Sequence, residues 1–190
     1  MKNLVSAIVL SFVVGAMCFG QECKFVKNKK KLQKYFQAIN IEKMTKPKVL
    51  FDKWNKVASS SFIKTDQGFL WSIFLMRGYS ARFEIFENNP IIVQFENGSI
   101  VKLYPNSFTE GKFPVLALTT FTINPLYKID KDQIDMFSSN RIKNIRVYFT
   151  SEKVLSENRS EDDLGTYFEY EILSERYQSN CITPANCILQ

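Results

Sequence analysis

Apolar and polar residues alternate with period two over much of this chain, and that period belongs to half-buried β-strands. Ile145, Val147 and Phe149 alternate with Arg146 and Tyr148. Tyr79, Ala81, Phe83 and Ile85 alternate with Ser80, Arg82 and Glu84. Residues Phe69 to Met76 form a nearly unbroken apolar run, as in a strand buried on both faces, and Gly78 after it marks a bend. Short strands are expected at Cys23 to Val26 and at Val49-Leu50-Phe51 with Trp54. The β pattern continues from Phe113 to Ile129, with Val115, Ala117, Phe121 and Ile123 on one side. Ser59-Ser60-Ser61 and Thr65-Asp66-Gln67-Gly68 read as turns.

The hairpin at Asn97-Gly98 has a register that can be argued. A two-residue turn would pair Val93 with Lys102 and place a lysine on an apolar face. A three-residue loop, Glu96-Asn97-Gly98, pairs Val93 with Val101 and Ile91 with Leu103. Phe95 then joins the apolar face, and Gln94 and Lys102 go to the other. A one-residue slip would invert every side chain, so the three-residue loop with a left-handed Gly98 is expected.

Helical spacing occurs in three places. Leu32, Tyr35, Phe36 and Ile39 would line a short amphipathic helix. Asp130 with Gln133 forms a capping-box pattern ahead of Ile134 and Phe137. Leu164, Tyr167, Phe168 and Ile172 follow Glu161-Asp162-Asp163 and predict a helix over 161–178. Many consecutive strands with tight turns favour antiparallel pairing. The expected fold is α+β: a single curved antiparallel sheet with a C-terminal helix packed on one face.

The first twenty residues break this pattern. Met1-Lys2-Asn3 is a short positive start, Leu4 to Met17 is an apolar core, and Cys18-Phe19-Gly20 precedes polar Gln21-Glu22. That is the layout of a secretory signal peptide, with cleavage expected before Gln21. Lipid anchoring at Cys18 is the rival, disfavoured by Met17 directly before it. The apolar run is short for a hydrocarbon core of about 30 Å, and no second candidate span follows. Residues 21–190 then form one α+β domain outside the cytoplasm, periplasmic or secreted, and the overall style is bacterial.

Three cysteines remain after such cleavage: Cys23, Cys181 and Cys187. An exported chain sits where disulfides form. Cys181 and Cys187 would close a small loop around Pro184, whereas Cys23 with either would tie the two ends together. Spacing alone does not choose between them. The chain contains no histidine, which excludes Ser-His-Asp and Cys-His nucleophile pairs and His-based zinc sites within it.

The net charge is +6, and it is uneven. Lys24, Lys27, Lys29, Lys30, Lys31 and Lys34 crowd the mature N-terminus, followed by Lys43, Lys46, Lys48, Lys53 and Lys56. Acids dominate from Glu152 to Glu175. Lys27, Lys29, Lys30, Lys31 and Lys34 are the candidate partner-binding residues, for another envelope protein or an anionic surface. No basic-aromatic nucleic-acid module is present.

Candidate chemistry is thin. Ser61 and Lys64 match the S-x-x-K nucleophile-and-base pattern of penicillin-binding proteins and β-lactamases, but no K-T-G follows. Asp130-Lys131-Asp132 with Asp135 departs from a calcium loop, with Ile134 and Asp135 where an oxygen ligand and a glycine belong. Asn97-Gly98-Ser99 and Asn158-Arg159-Ser160 fit the N-glycosylation pattern, which matters only in a eukaryotic host. Trp54 and Trp71 are candidates for a carbohydrate-binding groove. The expectation is a non-catalytic binding or envelope-assembly module that needs no cofactor. A small serine hydrolase using Ser61 and Lys64, and a carbohydrate-binding module, are the alternatives.

Overall fold

The computed structural model describes residues 22–28, 39–53, 56–78, 83–113, 120–151 and 166–190. The fold is α+β and mostly antiparallel. The described strands divide into two sheets, where one curved sheet was expected.

The first sheet is built on β3 (Lys56–Thr65) and β4 (Gly68–Gly78), paired along their whole lengths from Lys56↔Arg77 to Thr65↔Gly68. Each outer edge is made of two pieces. β1 (Ile41–Met44) and β2 (Lys48–Lys53) share the free edge of β3. β9 (Thr120–Ile123) and β10 (Leu126–Ile129) share that of β4. Pro47 lies in the first break and Pro125 in the second. Proline has no N–H for a ladder, so it is placed where an edge is interrupted.

The second sheet has the same plan. β11 (Ile142–Ser151) pairs with β12 (Thr166–Glu171) on one side, and with β6 (Ile91–Phe95) and β5 (Phe83–Ile85) on the other. β7 (Ile100–Leu103) pairs with β6, and β8 (Thr109–Glu110) with β5. The β6–β7 hairpin has the expected register, Val93↔Val101 and Ile91↔Leu103, and Gly98 has φ +84°. Asn97 Oδ1 accepts the Ser99 N–H at 2.9 Å and fixes the loop. Arg146 Nε and Asn144 Nδ2 both donate to Glu169 Oε1, at 2.8 and 2.6 Å, across β11 and β12.

One side of the two-sheet stack is stitched by backbone. Asn106 N–H donates to Leu126 at 2.7 Å, and Lys128 N–H to Tyr104 at 3.0 Å. Further along, Lys112 and Thr122 exchange both bonds. The opposite side is filled by the C-terminal helical segment.

The core lies between the sheets. Phe62, Trp71, Ile73 and Leu75 from the first meet Val93, Phe95, Val147 and Phe168 from the second in one buried cluster. Helix α1 (Lys131–Ser139) starts at the expected capping box, with Asp130 as N-cap and Gln133 bonding back, and buries Ile134 and Phe137. The Phe137 ring touches Phe62, Trp71 and Phe95 at 5.6, 4.8 and 5.2 Å between centroids, so one helix residue joins both sheets. A smaller cluster of Ile41, Met44, Ile63, Leu70 and Leu126 lies apart from it, bordered by Val26 and Ile39. This explains the apolar run of β4 over Leu70–Ile73, which is buried on both faces, whereas Phe74 beyond it is exposed.

Two local expectations are overturned. The helix expected over 161–178 is a strand at 166–171, and residues 161–165 lie outside the described set. Phe168, Tyr170 and Ile172 are buried and Glu169 and Glu171 exposed. That is a period of two, and pairing with β11 outweighs the weaker 3.6-residue match. The C-terminal helices fall later: α2 (Glu175–Gln178), a 3₁₀ turn at Ser179–Cys181, and α3 (Ile182–Leu189). Ser59-Ser60-Ser61, expected as a turn, lies in mid-β3. Its small side chains leave room where the C-terminal segment crosses, and Ser60 Oγ lies 3.3 Å from Cys181 Sγ.

Candidate basic cleft

The chain ends are covalently joined. Cys23 and Cys187 form a disulfide, with an S–S distance of 2.07 Å and Cα atoms 5.5 Å apart. The Cys181–Cys187 candidate is therefore corrected: Cys181 is a buried free thiol. Six residues of helix advance about 9 Å at 1.5 Å per residue, beyond the roughly 7 Å Cα separation a disulfide spans. Burial pushes the Cys181 thiol up to about 12, against an opposing pull from the Ser60 hydroxyl. Such a thiol is not nucleophilic near neutral pH.

The disulfide places residues 22–24 against the C-terminal helices. The same segment hydrogen-bonds the β1–β2 junction: Lys46 N–H donates to Lys24 at 2.8 Å, and Val26 N–H to Met44 at 2.9 Å. Between these walls lies a cleft of about 460 Å³, and Lys24, Lys46, Lys48 and Arg176 line it beside a lone carboxylate, Glu22. Glu22 lies 3.7 Å from Lys24. Lys46, Lys48 and Arg176 make no ion pair with a described carboxylate. Thr45, Ser179, Asn180 and Thr183 complete the polar lining. Asn180 Nδ2 donates to Val49 O and ties the C-terminal wall to β2.

A larger groove of about 740 Å³ lies at the β3–β4 turn and includes Asp66, Lys128, Asp130 and Gln133. Its acids already have local partners. Asp130 Oδ1 accepts the Gln133 N–H at 2.7 Å, and Asp66 takes Asn40 Nδ2 at 3.4 Å. The smaller cleft concentrates charge of one sign, whereas the larger one mixes Asp66 and Asp130 with Lys128.

The other sequence candidates separate. Lys27 is exposed on the segment that forms one cleft wall. Lys29, Lys30, Lys31 and Lys34, the 30–39 helix and Trp54 lie outside the described residues. Ser61 and Lys64 are not brought together, because three residues along an unbroken strand place them on opposite faces. Lys64 instead lies 3.4 Å from Glu42. Trp71 is fully buried against Phe62 and Phe137 and cannot line an open groove. Arg176, Asn180 and Thr183 had no signal in the linear sequence. Only pairing Cys23 with a C-terminal cysteine would have carried residues 176–187 to the N-terminal lysines.

No protein-family model matches the sequence, no curated protein matches it, and no solved structure matches the fold. Among the described residues, no helix is long and apolar enough to cross a membrane.

Proposed function

We propose that this chain is an exported, non-catalytic binding module that meets an anionic partner through its basic cleft. The observation that carries this conclusion is the cleft's charge: four cations face one carboxylate, and three of those cations have no described acidic partner. The partner is another envelope protein with an acidic surface, or an anionic surface of the envelope itself. Export is supported by the signal-like residues 1–20, and the Cys23–Cys187 bond is compatible with an oxidising compartment. The serine-hydrolase alternative lacks a Ser61–Lys64 contact, and the carbohydrate alternative has one of its two tryptophans in the core.

Affinity recovery with the protein from its native envelope tests this. Intact mass should place the mature start near Gln21, without a lipid adduct on Cys18. Binding should weaken as salt rises past about 0.15 M, where the Debye length is about 8 Å. It should fall on Lys46→Glu with Lys48→Glu. Capture that is equal at every salt concentration and in both forms would overturn the proposal.

A further inference from the structure

Resting on that function, we infer that the cleft is a site for one phosphate group, carried as a phosphomonoester. Its lining offers donors far in excess of acceptors. Glu22 offsets Lys24, which leaves Lys46, Lys48 and Arg176 uncompensated. Thr45 adds a second kind of evidence. It is 1 % exposed and lines the cleft. Its Oγ1 accepts the Phe62 N–H at 2.9 Å, which leaves the hydroxyl hydrogen to donate. A buried hydroxyl with a spare hydrogen calls for an acceptor.

The charge selects the ligand class. A phosphomonoester carries about −1.5 to −2 at neutral pH and three strong acceptor oxygens. It offsets most of the charge on Lys46, Lys48 and Arg176. A carboxylate or a sulfate monoester carries a single negative charge and leaves two cations uncompensated. The guanidinium of Arg176 suits a forked pair of bonds to two phosphate oxygens, and the lysines act as point charges. The volume, about 460 Å³, is well above that of one anion, so part of the carrier enters too. Two sources share this chemistry, a soluble phosphomonoester and the headgroup of a phosphatidic-acid-like lipid.

Calorimetric titration of the disulfide-bonded protein tests the inference, with inorganic phosphate, glycerol 3-phosphate and methyl sulfate, a singly charged sulfate monoester, as probes. Phosphate and glycerol 3-phosphate should bind saturably, glycerol 3-phosphate more tightly and methyl sulfate about tenfold more weakly than phosphate. Arg176→Met and Lys46→Met should each cost about tenfold, and Thr45→Val a smaller factor, with an unchanged circular-dichroism spectrum. Sedimentation with phosphatidylcholine vesicles, with and without phosphatidic acid, separates the sources. Binding only to the mixed vesicles assigns a lipid headgroup, and binding of glycerol 3-phosphate alone a soluble carrier. Equal affinity for methyl sulfate and phosphate, or no loss in Arg176→Met, would overturn the phosphate site. Should polyglutamate bind the native protein and be lost on Lys46→Glu/Lys48→Glu while phosphate and glycerol 3-phosphate show no saturable binding, the anionic-partner function stands and the phosphate site falls. If no anion binds the native protein, both fall.

Discussion

The Phe121 ring fills the space that any side chain on residue 111 would need. A Cβ at Gly111 would stand 1.8 Å from Phe121 Cε1. Phe121 has no room to retreat, since it is fully buried with its centroid 4.1 Å from Phe83 and 5.0 Å from Phe113. Gly111→Ala should therefore destabilise the protein by about 2 to 3 kcal/mol through overpacking. Thermal unfolding in the wild-type and Phe121→Leu backgrounds checks it. The alanine should cost much less beside leucine, and equal costs would refute the contact.

Replacing Cys23 and Cys187 together by serine should lower stability by up to about 5 kcal/mol, the chain-entropy limit for so long a loop. Anion binding should fall as well, because residues 22–24 lose their covalent tie to the C-terminal wall of the cleft. In the intact protein, iodoacetamide should label Cys181 only on unfolding. Labelling of Cys181 in native buffer, or retention of Cys187 as a free thiol, would contradict the pairing.

Tyr127 gives a stability slope at high pH. Burial raises its pKa far above the ordinary tyrosine value, and burial raises Tyr170 and Cys181 too. Above about pH 10 the unfolded chain releases the tyrosine proton while the native state keeps it. The native state then binds more protons, so each tyrosine's contribution is fully present below about pH 10 and falls above it by about 1.4 kcal/mol per pH unit, and the Cys181 contribution begins to fall earlier, above about pH 9. Tyr127→Phe should flatten that slope. The Tyr127 hydroxyl has no hydrogen-bond partner among the described residues, so the same change should cost less than about 1 kcal/mol at pH 7. Urea titrations at pH 7 and pH 11 decide; a loss above about 2 kcal/mol at pH 7 would mean the hydroxyl is bonded.

Asp130→Ala should cost about 1 kcal/mol by removing the cap on α1. Asp130→Asn should recover most of it, because the amide oxygen still accepts the Gln133 N–H. Equal losses in both would assign the effect to charge rather than to the cap.

The sequence read well where the decisive partners are near neighbours. The Asp130–Gln133 box and the Glu96–Gly98 loop are settled within a few residues of chain. It read badly where distant packing decides. Tyr167, Phe168 and Ile172 satisfy a helical stripe almost as well as a strand, and only β11 beside them picks the strand. Ser59-Ser60-Ser61 has turn composition, yet it is small because Cys181 and the C-terminal helices cross it. The basic cleft follows the same rule. Lys24, Lys46 and Lys48 are visible as a run of charge, but Arg176 and Thr183 join them only through a disulfide that spacing could not assign. The backbone stitching of the two sheets by Tyr104–Lys112 to β9 and β10 likewise leaves no periodic trace.

Because Cys23 is bonded to Cys187, the backbone between them is a closed ring rather than a line with two ends. A protease that cuts an exposed turn, such as that at Asp66-Gln67, opens the ring once and releases nothing. The two segments stay tethered, and re-pairing of β3 with β4 remains an intramolecular event at high effective concentration. A nicked molecule is thus still one molecule until its disulfide is reduced.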